Sequence, residues 1–220
     1  MDFSTQVDSS SGQTEIERKY LAPDAETLSA VKQLLQNRFG AEDLGCRDHV
    51  DTYYDTADSS LHRRGVTMRV RERDGEYVAA IKMPHVSETN EGSKMRLEHE
   101  LVLPDGDLWH CRGLFVRHLP ELEERFADLA ATLLVKNSRN TLLVTCGETV
   151  LEVSLDSLWY HRGELSGGDY EVEIELKSGP SHISNLGVFG RNIEQVFPQL
   201  QLTQQSKYER GMYVLAAVEA

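Results

Sequence analysis

The stretch Thr14-Glu15-Ile16-Glu17-Arg18-Lys19-Tyr20-Leu21 decides the fold. It alternates with a period of two, which is the side-chain period of a β-strand. Glu15, Glu17 and Lys19 share one face, and Ile16, Arg18 and Tyr20 share the other. The polar face is charged at every position. An ordinary half-buried strand turns a mixed polar face to water, so a face of this kind asks what compensates it.

The same pattern recurs down the chain. Val66–Arg73 offers Arg69, Arg71 and Arg73, and Tyr77–Met83 offers Lys82. Met95–Leu103 offers Arg96, Glu98 and Glu100; Val150–Leu158 offers Glu152, Ser154 and Asp156; Tyr170–Leu176 offers Glu171, Glu173 and Glu175. The opposite faces are apolar: Met68 and Val70, Ala79 and Ile81, Leu97 and Leu101, Leu151, Val153 and Leu155, then Val172, Ile174 and Leu176. Two architectures fit. In one, the apolar faces meet helices and the charged faces lie in water, which is the usual reading of a single charged stripe. In the other, the sheet closes into a barrel with its charged faces inward and its apolar faces under surface helices. Three carboxylates in a row repel one another unless cations compensate them, and solubility alone does not require that. Six or more such strands favour the second architecture, an α+β fold whose sheet closes into a barrel under surface helices; about eight strands are enough to hold one small ligand. Its lumen would hold clustered carboxylates, which suit hard divalent cations. It would also hold Arg and Lys side chains, which suit phosphate oxygens.

The intervening segments complete the outline. Asp24 is a candidate N-cap for a helix with Leu28, Val31, Leu34 or Leu35 and Phe39 on its buried stripe, ended by Gly40. Val50–Asp55 is a strand, and Asp74-Gly75 turns a hairpin. Pro84–Lys94 is a polar loop. Residues 105–134 are irregular and then helical, with Leu119, Leu122, Phe126, Leu129 and Leu133 as an apolar face. Arg139–Val144 pairs with Val150–Leu158 around Gly147-Glu148, Gly167-Gly168 is a turn, and helices run from Pro180-Ser181 to about Val196 and from about Gln204 to Val218. Met1–Gln13 is expected to be a flexible tail before a single domain over 14–220.

Composition narrows the function. The 220 residues carry a formal net charge of −13, which argues against non-specific binding to nucleic acid or to an anionic membrane. Cys46, Cys111 and Cys146 have no metal-ligand spacing and are expected to be free thiols in a reducing compartment. No secretory signal or membrane-spanning run is visible, so a cytoplasmic location is expected. The eight histidines show no ligand spacing and are expected mostly at the surface or in loops, with His99 on the outward face of its strand. Tyr53, Tyr54, Trp109 and Trp159 are expected to pack rather than to bind a ring.

At this point a family resemblance emerges. Glu15-Ile16-Glu17-Arg18-Lys19 resembles the E-x-E-x-K signature of the CYTH superfamily, the triphosphate tunnel metalloenzymes. Asp51-Thr52-Tyr53-Tyr54-Asp55-Thr56, Arg69-Val70-Arg71, Ile81-Lys82, Arg96-Leu97-Glu98-His99-Glu100, Asp156, Glu171-Val172-Glu173-Ile174-Glu175 and Ser206-Lys207-Tyr208 follow in that family's order. The layout looks closest to bacterial inorganic triphosphatase or thiamine triphosphatase-type members. The resemblance implies an eight-stranded closed antiparallel β-barrel with surface helices, a tunnel that binds a small triphosphate with Mg2+ or Mn2+. It implies metal or water-orienting roles for Glu15, Glu17, Asp156, Glu173 and Glu175, with Glu98 and Glu100 as supporting groups or ligands to a second metal. It implies phosphate contacts from Lys19, Arg69, Arg71, Lys82, Arg96, Arg139 and Lys207. Lys136 competes with Arg139 for its position, and Glu171 competes with its acidic neighbours. Hydrolysis of inorganic triphosphate is the leading expectation, ahead of thiamine triphosphate. A class IV adenylate cyclase and a non-catalytic polyphosphate-binding module are the alternatives.

Overall fold

The computed structural model describes residues 12–85, 92–178 and 183–219. Residues 1–11 of the expected tail Met1–Gln13, 86–91 of the expected loop Pro84–Lys94 and the expected helix start at 179–182 lie outside the described residues, while Gln13 already belongs to the first strand. In chain order the elements are β1 (Gln13–Ala22), α1 (Ala25–Phe39), β2 (Glu42–Asp55), β3 (Thr67–Arg73), β4 (Glu76–Pro84), β5 (Lys94–Leu103), α2 (Arg112–His118), β6 (Ala130–Cys146), β7 (Thr149–Arg162), β8 (Leu165–Ser178), α3 (Ile183–Val196), β9 (Gln201–Thr203) and α4 (Lys207–Glu219).

The strands form one antiparallel sheet in the order β5-β4-β3-β2-β6-β7-β8-β1-β9, and β1 also pairs with β5. That last pairing closes eight strands into a barrel. β1 makes closure possible because its two edges are used in succession. Gln13–Glu17 pair with β5, while Glu17–Ala22 pair with β8. β9 takes the edge beyond β5, opposite Lys19–Leu21.

The apolar faces point outward, as the alternation requires, and helices cover them. Leu28, Val31 and Leu35 of α1 and Leu186, Phe189 and Ile193 of α3 bury Leu142, Leu151, Val153, Val172 and Ile174. α1 starts where Asp24 accepts a hydrogen bond from the Thr27 amide, at 2.7 Å, and ends at Gly40. Leu114 and Phe115 of α2, with Leu122 and Phe126 of the 3-10 segment Pro120–Asp128, cover Met68, Val70, Ala79 and Ile81. A third cluster lies on the inward face. Tyr53, Leu133, Val135, Leu158 and Tyr160 meet Tyr208 and Leu215 of α4. They share strand parity with Asp51, Arg139 and Asp156, so this end of the barrel is filled by apolar side chains under α4.

Four expectations need correction. β2 begins at Glu42 rather than Val50, because residues 42–49 are polar on both faces and hide the period. Leu133 does not extend the apolar face of the 119–129 segment; it belongs to β6, whose first residues pair with Tyr54 and Asp55. Gly167-Gly168 is not a turn but part of β8. A Cβ on Gly168 would fall 2.0 Å from the Trp159 ring, so the glycine is there for close approach and not for chain reversal. Trp109 and Trp159 are not packed inside, being 59% and 57% exposed. No helix among the described residues is long and apolar enough to cross a membrane.

Gly190 shows how closely α3 sits on β1. Alanine is normally favoured over glycine inside a helix by about 0.5–1 kcal/mol. Here a Cβ would lie 2.5 Å from Arg18 Cδ and 2.6 Å from Tyr20 Oη, and overpacking of that kind costs roughly 1–3 kcal/mol. The clash wins, so Gly190→Ala should lower the urea unfolding midpoint. A midpoint equal to or above that of the native protein would show that the helix can move off the sheet at little cost.

Candidate active site

The barrel encloses a cavity of about 380 Å³. Of the residues singled out from sequence, Glu15, Lys19, Arg69, Arg71, Lys82, Arg96, Glu98, Glu100, Arg139, Glu173, Glu175 and Lys207 line it. Glu17 and Asp156 are buried on the same strand faces, beneath the cavity wall. Glu100 stands at the mouth with its side chain 55% exposed and only a distant contact to Arg69, at 3.9 Å. Lys136 is exposed on the other face of β6, while Arg139 faces the lumen.

Register sorts the charges into two walls. On β7, β8 and β1, carboxylates face carboxylates across the ladder: Asp156 opposite Glu171, Glu152 opposite Glu175, Glu17 opposite Glu175. The oxygens of Glu15, Glu173 and Glu175 all approach within 4.8 Å of one another, and so do those of Asp156, Glu171 and Glu173. On β2 to β5 the lumen face carries Arg47, Arg69, Arg71, Arg73, Lys82 and Arg96. The cations of this wall are held by acids. Arg71 donates to both oxygens of Asp51, at 2.7 and 2.8 Å. Lys82 donates to both oxygens of Glu15, at 2.7 Å each, and lies 3.3 Å from Glu98. Arg139 grips Asp156 through two hydrogen bonds of 2.7 Å. Lys207 reaches in from the first turn of α4 to Asp156, Glu171 and Glu173.

These neighbours pull the carboxyls apart in acidity. Burial opposes ionisation of Asp51, but Arg69 and Arg71 outweigh it and hold the group well below the usual carboxylate range. Burial likewise opposes the charges on Asp156 and Glu173. Arg139 and Lys207 keep Asp156 ionised, and Lys207, Lys19 and Arg139 keep Glu173 ionised. Burial prevails at Glu171 and Glu175, pushing each up to about 7 against Lys207 and Lys177 respectively. Burial also raises Glu17 against the opposing charge of Lys19. Neither Glu17 oxygen has a hydrogen-bond partner among the described residues, although Lys19 Nζ lies 3.0 Å away.

Sequence reasoning passed over several groups. Asp51 was visible only as part of a strand motif, yet it is fully buried and anchors two arginines. Continuing the alternation backward from Tyr53 would have found Asp51, His49 and Arg47. Continuing it forward from Glu175 would have found Lys177, 2.9 Å from that carboxylate. His49 is not a surface histidine: it lines the lumen, and burial together with Arg71 lowers it to about 3. His99 does face outward, stacked on His118 with ring centroids 3.5 Å apart. Tyr53 packs on Tyr208, at 5.6 Å between centroids.

A lumen of this shape, with an acidic wall opposite a basic one, defines a class of tunnel proteins. The CYTH domain model matches residues 13–212. The chain belongs to the CYTH domain family. Solved structures of similar fold include a candidate adenylate cyclase of Bacillus halodurans, with a TM-score of 0.65 at 21% identity over 90% of this chain and 97% of that one. The PH1819 protein of Pyrococcus horikoshii gives 0.60 at 21% identity over 90% and 98%. A candidate adenylyl cyclase of Hippeastrum, reported to have dominant triphosphatase activity, gives 0.56 at 18% identity over 90% and 95%. Comparison with curated protein sequences gives no match.

Glu175 generates a pH prediction. Its folded value of about 7 lies above its ordinary 4.5, so its contribution to stability is full below about 4.5 and lost as pH rises through 7. His49, lowered from 6.5 to about 3, acts the other way, its contribution growing as pH rises toward 6.5. The native slope is therefore a sum, and the comparison with Glu175→Gln isolates the carboxyl. In chelator, the variant should gain on the native protein by roughly 2–3 kcal/mol between pH 5 and 8. Parallel melting-temperature profiles would mean that Glu175 titrates normally.

Proposed function

We propose that this chain is a divalent-metal-dependent triphosphatase whose preferred substrate is inorganic triphosphate. The observation that carries the reading is the division of one closed lumen into a wall of clustered carboxylates and a facing wall of arginines and lysines. The donors are all carboxylate oxygens, which fits Mg2+ or Mn2+ rather than a thiolate- or imidazole-bound metal. Glu15, Glu173 and Glu175 would hold the ion, with nearby Glu17, whose carboxylate accepts no hydrogen bond among the described residues and pairs with Lys19 at 3.0 Å. When bound, such an ion polarises phosphate oxygens and lowers the pKa of a coordinated water.

The protein's own groups do the rest. Arg69, Arg71, Lys82 and Arg96 bind and orient the phosphate chain, and Lys19 and Arg139 bring further positive charge from the acidic side. Their charge stabilises the equatorial and leaving oxygens of an in-line displacement. The apolar plug under α4 limits water at the inner end. No cysteine or serine nucleophile is needed.

The preference for an inorganic substrate rests on the lining. Among the described residues its only aromatic members are Tyr53 and His49, and Tyr53 is already packed on Tyr208. Neither offers a vacant platform for a base or a thiazole ring. The Hippeastrum structure, with its reported triphosphatase activity, supports the same reading by analogy, while the candidate cyclases keep cyclic nucleotide formation as the competing one.

A product panel tests this. With Mg2+ or Mn2+, inorganic triphosphate should give pyrophosphate and phosphate faster than thiamine triphosphate or ATP is cleaved. EDTA should abolish turnover, and Glu173→Gln should reduce it at least about tenfold, as disturbed metal shells do. Cyclic AMP and pyrophosphate as the main products from ATP would replace the hydrolase with a cyclase. Tight triphosphate binding without turnover would leave a binding module.

A further inference from the structure

The two carboxylate clusters share Glu173 but differ in what already neutralises them. The outer one, Glu15, Glu173 and Glu175, is flanked by Lys82 and Lys177. Both are long strand side chains at the open cavity; Lys177 is 39% exposed and Lys82 14%. The inner one, Asp156, Glu171 and Glu173, contains the Lys207 ammonium, 3.0 Å from Asp156 Oδ2, 2.7 Å from Glu173 Oε2 and hydrogen-bonded to Glu171. An ammonium has three donors and no acceptor; here it hydrogen-bonds Glu171 and Glu173 and lies in ion-pair contact with Asp156.

Lys207 is not free to leave. It is the first residue of α4, and that helix start is fixed by a reciprocal cap. The Ser206 amide donates to Glu209 Oε2, at 2.7 Å, and the Glu209 amide donates to Ser206 Oγ, at 3.2 Å. The next residue, Tyr208, packs on Tyr53 in the apolar plug. Moving the ammonium out means moving the first turn of α4, taking from buried Glu171 its ion-pair partner, and leaving Asp156 to Arg139 and Glu173 to the more distant Arg139 and Lys19, at 3.5 and 3.8 Å, which is costly at such burial.

We infer that Lys207 is the resident cation of the inner cluster, so that the free protein takes one divalent ion per chain, at the outer cluster. The inference rests on the metal-dependent reading proposed above. It also changes the expected role of Lys207, from a phosphate contact to a built-in substitute for a second metal.

Manganese binding to the full chain, followed by the electron paramagnetic resonance of free and bound Mn2+, tests it without turnover. The native protein should bind one ion. Lys207→Met should bind two, with a spin-coupled signal because both ions would share Glu173. No binding to the native protein would remove the metal reading itself. Two ions in the native protein, or one in folded Lys207→Met, would overturn the inference and leave that reading standing. Should Lys207→Met fail to fold, two further variants decide. Glu175→Gln should weaken Mn2+ binding at least about tenfold, and Glu171→Gln should leave it within about threefold. The reverse order would place the ion at the inner cluster and end the proposal.

Discussion

The rest of the structure depends on one constraint: a charge taken out of water must be paired or it will not stay ionised. The barrel buries Glu15, Glu17, Lys19, Asp51, Arg96, Asp156, Glu171, Glu173 and Lys207 in its interior or wall. None of these would be tolerated singly. They are tolerated because the ladder sets opposite charges across from one another at several rungs. Arg71 faces Asp51, Arg139 faces Asp156, Lys82 faces Glu98, Arg96 faces Glu15 and Lys19 faces Glu173. A register slip of one residue on any strand would send its whole charged set outward and its apolar set inward, so the ion pairs and the outer helical cores enforce the same register.

The site arises where that pairing rule is broken. Between β7, β8 and β1 the register sets acid against acid, and cations must arrive from elsewhere in the chain. Lys82 comes from the opposite wall, Lys177 from the end of β8, and Lys207 from a helix outside the barrel. Where such help falls short, the carboxyl keeps its proton to higher pH, as at Glu171 and Glu175. The fold is thus consistent nearly everywhere and frustrated at one wall, which is where departures from local rules are expected in functional proteins.

Much of this was legible in the sequence because a period of two, repeated with charge on one side, has few solutions. The strand faces and the acidic and basic sets follow from it, the closed barrel is the architecture that compensates its charges, and the caps of α1 were legible separately in Asp24 and Gly40. What stayed hidden has a physical reason in each case. The early part of β2 is polar on both faces, so its alternation carries no contrast, and Asp51, His49 and Arg47 went unrecognised with it. Gly168 resembles a turn residue because sequence cannot distinguish a glycine needed for backbone freedom from one needed to admit Trp159. The insertion of Lys207 between three acids depends on where α4 docks, a long-range packing outcome that no local pattern encodes.

The same pairing bears on how a chain of net charge −13 would accept the polyanion of the proposed function. A buried ion pair contributes little net stability, since desolvation consumes most of its attraction. Exchanging one partner for another of the same sign therefore costs little. Under the proposed function, triphosphate oxygens would replace Asp51, Glu15 or Glu98 as partners of Arg69, Arg71 and Lys82, and a divalent ion would replace Lys82 and Lys177 as the partner of Glu15 and Glu175. Phosphate alone would leave acids facing an anion, and metal alone would send Lys82 and Lys177 toward the basic wall. Each ion should therefore bind more tightly when the other is present, from the balance of charge in the lumen and before any contact with an organic group is considered.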